Sequence, residues 1–252
     1  MPRQARAVAE SGFYHLVLKG NGSWSLFEDR TDREVFLDKL TKSFERNPVQ
    51  LIAWCLMSNH VHLIVCERDG ILPKAMHSFM TAYARYLNDR QDKSGHVFDD
   101  RFWSGVIEDD AHLLEAVRYV HNNPQNAGIC EAQDYYWSSY GEYCGMPGAI
   151  HAADTALILD MVGGPDRFRE FCAARVATTY TPYRGHRIPE DEVQAIATAV
   201  LAGRNPRSVG EGNGASRSAD IRLLKGVGLS KAQIERCTGL GRWTIMKALG
   251  GE

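Results

Sequence analysis

Two hydrophobic periods alternate through the first half of the chain. Phe13-Tyr-His-Leu-Val-Leu-Lys19 is a short apolar run closed by Gly20-Asn-Gly22, which predicts a first strand. Residues 32–46 change to a helical period, with Val35, Phe36, Leu40 and Phe44 along one stripe. The longest apolar run follows, Leu51-Ile-Ala-Trp-Cys-Leu-Met-Ser-Asn-His-Val-His-Leu-Ile-Val65, and predicts two adjacent strands that turn at Ser58-Asn59. Residues 72–88 carry Met76, Phe79, Met80, Tyr83 and Leu87 and predict a second helix. His96-Val-Phe98 and residues 102–107 are short strand candidates. Asp109-Asp110 opens a third helix through Val120, for which Pro124 is the expected stop. The order strand–helix–strand–strand–helix–strand–helix predicts an α+β fold, a ferredoxin-like antiparallel sheet with helices packed on one face.

The second half is more helical and less regular. Helical stretches are expected near 153–161 and 165–174, a polar linker over 179–189, and a further helix over 190–202. Residues 205–216, rich in glycine and polar side chains, are expected to be flexible. The tail has the pattern of a helix-turn-helix: a helix ending near Leu224, a helix over 229–237 capped by Ser230, a tight turn at 238–240, and a helix over 241–249. Arg242, Trp243, Thr244 and Lys247 are its candidate DNA-facing residues; Ile234, Leu240, Ile245 and Leu249 belong to its core. The expected domains are 1–150, an accessory helical segment with linker over 151–204, and the flexible lead-in with helix-turn-helix over 205–252.

With 252 residues, 44% apolar and 24% charged, the chain has the composition of a soluble globular protein. Its longest apolar run is broken by Ser58, Asn59, His60 and His62, so no membrane span is expected. The first ten residues hold no sustained apolar segment, which predicts no signal peptide. Six cysteines without a CxxC pair fit reduced, mostly buried thiols in a cytoplasmic protein and argue against a zinc ribbon. The net charge of −2 makes no case for nucleic acid, but its distribution does. Residues 201–252 hold nine Lys or Arg against four acids. A locally basic module of this kind can bind a polyanion.

The chemistry concentrates in two places. His60 and His62 are two apart in a predicted strand, so both imidazoles leave one sheet face, close enough to share a divalent metal. Tyr119 and Asn123 are four apart in Ala116-Val-Arg-Tyr-Val-His-Asn-Asn-Pro124 and share a helix face. A nucleophilic tyrosine, a metal-binding histidine pair and a third ligand suit phosphodiester cleavage, although a phenol with pKa near 10 needs local activation. Each member has a structural reading as well: a hydrogen-bonded strand histidine, a packed tyrosine, a helix exit. Tyr83 and Tyr86 are competing nucleophiles for which packing or base contact is the better reading. His15, Lys19 and Asn21 at the end of the first strand, and Arg101 with Trp103 near a later one, are candidate DNA contacts. His77, His96 and His121 could join a metal shell only if the fold brings them in.

Four stretches carry a family resemblance: Tyr14-His-Leu-Val-Leu-Lys-Gly-Asn21, Trp54-Cys-Leu-Met-Ser-Asn-His-Val-His-Leu-Ile64, Gly95-His-Val-Phe-Asp-Asp-Arg-Phe-Trp103 and Tyr119-Val-His-Asn-Asn-Pro-Gln-Asn-Ala-Gly128, followed by Trp137-Ser-Ser-Tyr140. Over residues 10–150 the chain resembles the IS200-like single-tyrosine transposases with a His-hydrophobic-His motif, in particular their REP-associated branch. The resemblance implies that His60 and His62 bind the metal, that Asn123 is the third ligand and that Tyr119 is the nucleophile. It implies a single-stranded DNA endonuclease and strand transferase that uses Mg2+ or Mn2+, forms a 5′-phosphotyrosine, frees a 3′-hydroxyl and acts on hairpins of palindromic chromosomal repeats. One departure is Ser58, where the family commonly has proline; it changes turn rigidity and removes no ligand. The helix-turn-helix resembles a module added in some relatives and implies contact with double-stranded DNA. Relatives work as homodimers or monomers, in the bacterial cytoplasm. Two other classes compete: a non-catalytic DNA-binding regulator that uses the tail alone, and a metal-dependent nuclease that attacks with activated water.

Overall fold

The computed structural model describes residues 8–22 and 25–250, so most of the amino-terminal stretch read for a signal peptide lies outside the described residues. The chain divides into two compact units. The first comprises residues up to His121 together with Gln133–Phe171; the second comprises Asn122–Ala132 and the chain from Cys172 onward.

The first unit is built on a four-stranded antiparallel sheet with β1 (Phe13–Lys19), β2 (Gln50–Leu56), β3 (His60–Cys66) and β4 (Trp103–Ile107) in the order β2-β3-β1-β4. The central strands β1 and β3 are buried along most of their length, as their apolar runs require. Strand alternation sends Tyr14, Leu16 and Leu18 of β1, and Val61, Leu63 and Val65 of β3, to one face. Onto that face pack α1 (Arg30–Glu45) and α2 (Leu72–Gln91), through Phe36, Leu40 and Phe44 on the first and Met76, Phe79, Tyr83 and Leu87 on the second. Phe36 meets Phe79 and Tyr83 edge-on, with centroids 4.8 and 4.9 Å apart.

Asp29 caps α1 by accepting from the Asp32 backbone N–H. Asp32 is itself fully buried, accepts from the Tyr86 hydroxyl at 2.9 Å and pairs with Arg90, so α1 is pinned to α2. Tyr83 donates to the Leu26 carbonyl at 2.6 Å, and burial pushes its phenol well above the ordinary value. Both competing tyrosines are thereby committed to packing on the α1–α2 side.

The opposite face carries a helix as well. Helix α3 (Asp110–Asn126) sets the Tyr119 ring against His15 and His62 on that second face. Its extent is corrected: Pro124 does not stop it, and the helix runs on to Asn126 although the proline forfeits its own N–H bond and crowds the carbonyl one turn back. The turn closes with Ala127 N–H to Asn123 O and Ile129 N–H to Pro124 O, and Gly128 leaves at φ +75°.

His96–Phe98 forms no strand; it runs beside the end of β1 through a bridge from Phe98 to Gly20 and the Asn21 N–H to Val97 O bond. The outer edge of β2 is covered by the Trp137–Tyr140 stretch. There Leu56 N–H donates to Trp137 O, Ser139 N–H to Trp54 O, and the Trp54 indole to Glu142 at 2.8 Å. The short helix α4 (Tyr140–Tyr143) follows, then α5 (Ala156–Val162) and α6 (Pro165–Ala173).

In the second unit, α7 (Val193–Val200) is buried nearly all round. Residues 205–216 carry local structure: Pro206–Glu211 form a 3-10 helix, Asn205 and Asn213 cap, and the Arg217 guanidinium donates to the carbonyls of Gly210 and Gly212. Helices α8 (Gly214–Gly226), α9 (Lys231–Thr238) and α10 (Arg242–Ala248) then pack together. Ser230 and Gln233 form a reciprocal capping box at α9, and Gly239 (φ +74°) makes the turn into α10. Of the four residues assigned to the core of this helix-turn-helix, Ile234 and Ile245 are buried and Leu240 and Leu249 half-buried, with Cys237 and Ala248 buried beside them. All six cysteines are free thiols. Among the described residues no helix is long and apolar enough to cross a membrane.

Candidate active site

Strand register assembles the site. His62 of β3 stands opposite Val17 of β1, and His60 opposite Lys19. His15 lies two residues before Val17, so it shares their face and is the diagonal neighbour of His62. His15 and His62 are fully buried, and His60 is 9% exposed. One ring nitrogen of His60 and one of His62 come within 4.8 Å of each other. The ring centroids of the pair are 5.0 Å apart and nearly perpendicular. Tyr119 is 3% exposed and meets His62 edge-on at 5.6 Å and His15 at 5.9 Å.

The rings are held from behind. His60 Nδ1 is 2.8 Å from Asn59 Oδ1, and His62 Nδ1 is 3.0 Å from His15 Nε2. Burial lowers the His62 pKa well below the ordinary histidine value, with further lowering from His60 and His15. Burial, with a smaller repulsion from His112, lowers His15 to about 3. Both rings are therefore neutral near pH 7, as a ligand nitrogen must be. The His60 and His62 imidazoles on one face, each engaged at Nδ1, fit a divalent cation bound through Nε2.

The other expected residues are placed as follows. Asn123 is buried on α3, one turn beyond Tyr119. His121 faces elsewhere, with Nε2 2.7 Å from Ser139 Oγ and its ring against Tyr143 and Phe168. Lys19 is half-buried at the end of β1. Asn21 donates to the His96 carbonyl at 3.0 Å, which ties the end of β1 to the next loop. Arg101 is exposed and lines a groove of about 730 Å³ with His77, His96 and Asp99. His15 is corrected from a DNA contact, since a fully buried ring bonded to His62 presents nothing to DNA. Register makes it part of the site, and the sequence does not show that register. On α10, Arg242, Trp243 and Lys247 are exposed and Thr244 half-buried, with the Lys247 ammonium 5.1 Å from the centre of the Trp243 ring.

Acid should weaken this fold. Burial also lowers His121 to about 3. For a histidine whose folded pKa lies below its unfolded value, the unfolded chain takes the proton first. Stability is then full above pH 6.5 and falls as the pH drops from there toward 3. By pH 5, His15 and His121 should each cost about 2 kcal/mol. Urea midpoints at pH 7, 6 and 5 should fall in that order; a flat series would contradict neutral burial.

Three comparisons relate the chain to known proteins. Residues 9–123 match the IS200-like transposase family. A Haemophilus influenzae protein assigned by name to the REP-associated tyrosine transposases is 25% identical over 158 residues, spanning 56% of this chain and 86% of that protein. A solved structure of a REP-associated tyrosine transposase bound to a REP hairpin matches the fold with a TM-score of 0.51 at 17% identity, covering 62% of this chain and 92% of the other. Over residues 9–123 the chain is thus similar to the IS200-like transposases.

Proposed function

We propose that the chain is a metal-dependent single-stranded DNA endonuclease and strand transferase that acts on hairpin DNA of palindromic repeats. The observation that carries this reading is the Tyr119 ring set 5.6 Å from His62, over the His60–His62 face. In the cleavage step the Tyr119 Oη–P bond forms as the P–O3′ bond breaks. The phenolic proton is given up and the departing 3′ oxygen takes one up. The product is a 5′-phosphotyrosine and a free 3′-hydroxyl, and the reverse step rejoins DNA without an external energy source.

His60 and His62, with Asn123 as third protein ligand, would hold Mg2+ or Mn2+, which supplies charge neutralisation at the scissile phosphate. Lys19 and Arg101 would meet the DNA backbone near the end of β1, and Asn21 would order that loop. The protein would work in the bacterial cytoplasm, at the chromosome. The test is a denaturing gel for a covalent protein–DNA adduct on single-stranded hairpins from repeats near the gene, with Mn2+ present.

The tail is proposed to bind double-stranded DNA, with α10 in the major groove. Arg242, Trp243, Thr244 and Lys247 are its reading and anchoring residues. Arg242→Ala with Lys247→Ala should weaken duplex binding and lower the salt slope by roughly 2 if both side chains contact phosphates. An unchanged slope in fluorescence anisotropy would remove the tail from duplex binding.

A further inference from the structure

We propose that His15 is a positioning residue, which holds His62 in the one tautomer that turns a nitrogen lone pair toward the cation. The proposal rests on the reading of His60 and His62 as the metal pair. A neutral imidazole carries one proton, on Nδ1 or on Nε2, and only the other nitrogen can act as ligand. His15 Nε2 and His62 Nδ1 face each other at 3.0 Å, so one donates and the other accepts. If His62 donates from Nδ1, its Nε2 keeps a lone pair for the metal. If His15 donates instead, the His62 proton sits on Nε2 and the ligand is blocked. His15 must therefore accept at Nε2 and carry its own proton on Nδ1.

The other ligand shows the same arrangement by a different route. His60 Nδ1 lies 2.8 Å from the Asn59 carboxamide oxygen, which can only accept. His60 is thus also fixed with its proton on Nδ1 and its lone pair on Nε2. The two ligands offer the same atom because a hydrogen-bond acceptor stands behind each.

Burial supports a task for His15 beyond filling space. A fully buried polar ring costs free energy that an apolar residue at this central-strand position would not. Strand register places it as the diagonal neighbour of His62, with Gly105 opposite it on β4. Its bond to His62 offsets that cost and makes the orientation of the ligand a property of the sheet.

The first test needs no metal. Histidine 15N–1H correlation spectra of the metal-free full chain should show the His62 proton on Nδ1; a proton on Nε2 would overturn the proposal. The second reads Mn2+ affinity by electron paramagnetic resonance titration. His15→Phe, with a thermal midpoint near that of wild type, should bind Mn2+ about 10- to 100-fold more weakly. His15→Gln, whose side-chain oxygen can accept from His62, should recover most of the loss. Affinity within twofold of wild type in a folded His15→Phe would overturn the proposal alone. A wild type that takes up no Mn2+ would overturn the metal reading, and the proposal with it. If His15→Phe does not fold, the wild-type tautomer and the His15→Gln affinity decide the matter.

Discussion

Tyr119→Phe should abolish the covalent adduct on hairpin DNA and slow strand cleavage by on the order of 10³-fold or more. The substitution removes one oxygen and keeps the ring. Since the Tyr119 ring is 3% exposed and packs edge-on against His15 and His62, the phenylalanine keeps those contacts and the fold. Hairpin binding, read by anisotropy, should therefore be nearly unchanged. An adduct formed by wild type and absent from the variant establishes tyrosine attack. Cleavage without an adduct, retained in Tyr119→Phe, would instead assign the attack to water. Tight binding with neither adduct nor cleavage in wild type would point to a regulator.

The second large effect is expected at the histidine pair. His60→Ala with His62→Ala removes both imidazoles whose nitrogens come within 4.8 Å, so no Mn2+ should bind at concentrations that saturate wild type. Cleavage should fall about as far as in Tyr119→Phe, because a step that depends on several groups acting together is lost with any of them. Truncating His62 also takes the 3.0 Å partner from a fully buried His15, which should cost about 1–3 kcal/mol of stability. His60, at the edge of the site, should cost less by itself. Mn2+ affinity unchanged in the double variant would place the metal elsewhere.

Much of this arrangement was legible in residue order. β1 and β3 follow the predicted runs because the apolar residues end at turn signals, Gly20-Asn-Gly22 and Ser58-Asn59. The tail helices were legible for a local reason as well: Ser230 and Gln233 cap α9 within one turn. What escaped depends on long-range pairing. Nothing near His15 announces that β1 lies beside β3, and without that register its ring cannot be assigned to His62. At Pro124 the helix runs on against the local preference that a proline expresses. Residues 205–216 read as flexible because their local structure comes from the Arg217 side chain and two asparagine caps rather than from an apolar period.

The two faces of the sheet share strands but little else. Tyr14, Leu16, Leu18, Val61, Leu63 and Val65 secure the fold against α1 and α2, while the alternate residues of the same strands hold His15, His60 and His62. Conservative replacements on the histidine side can therefore extinguish the chemistry and spare the scaffold. In a lineage under relaxed selection, copies of such a gene would lose cutting before they lost shape. A folded protein with a silent site and an intact tail would be the first product of decay, available for recruitment to another task.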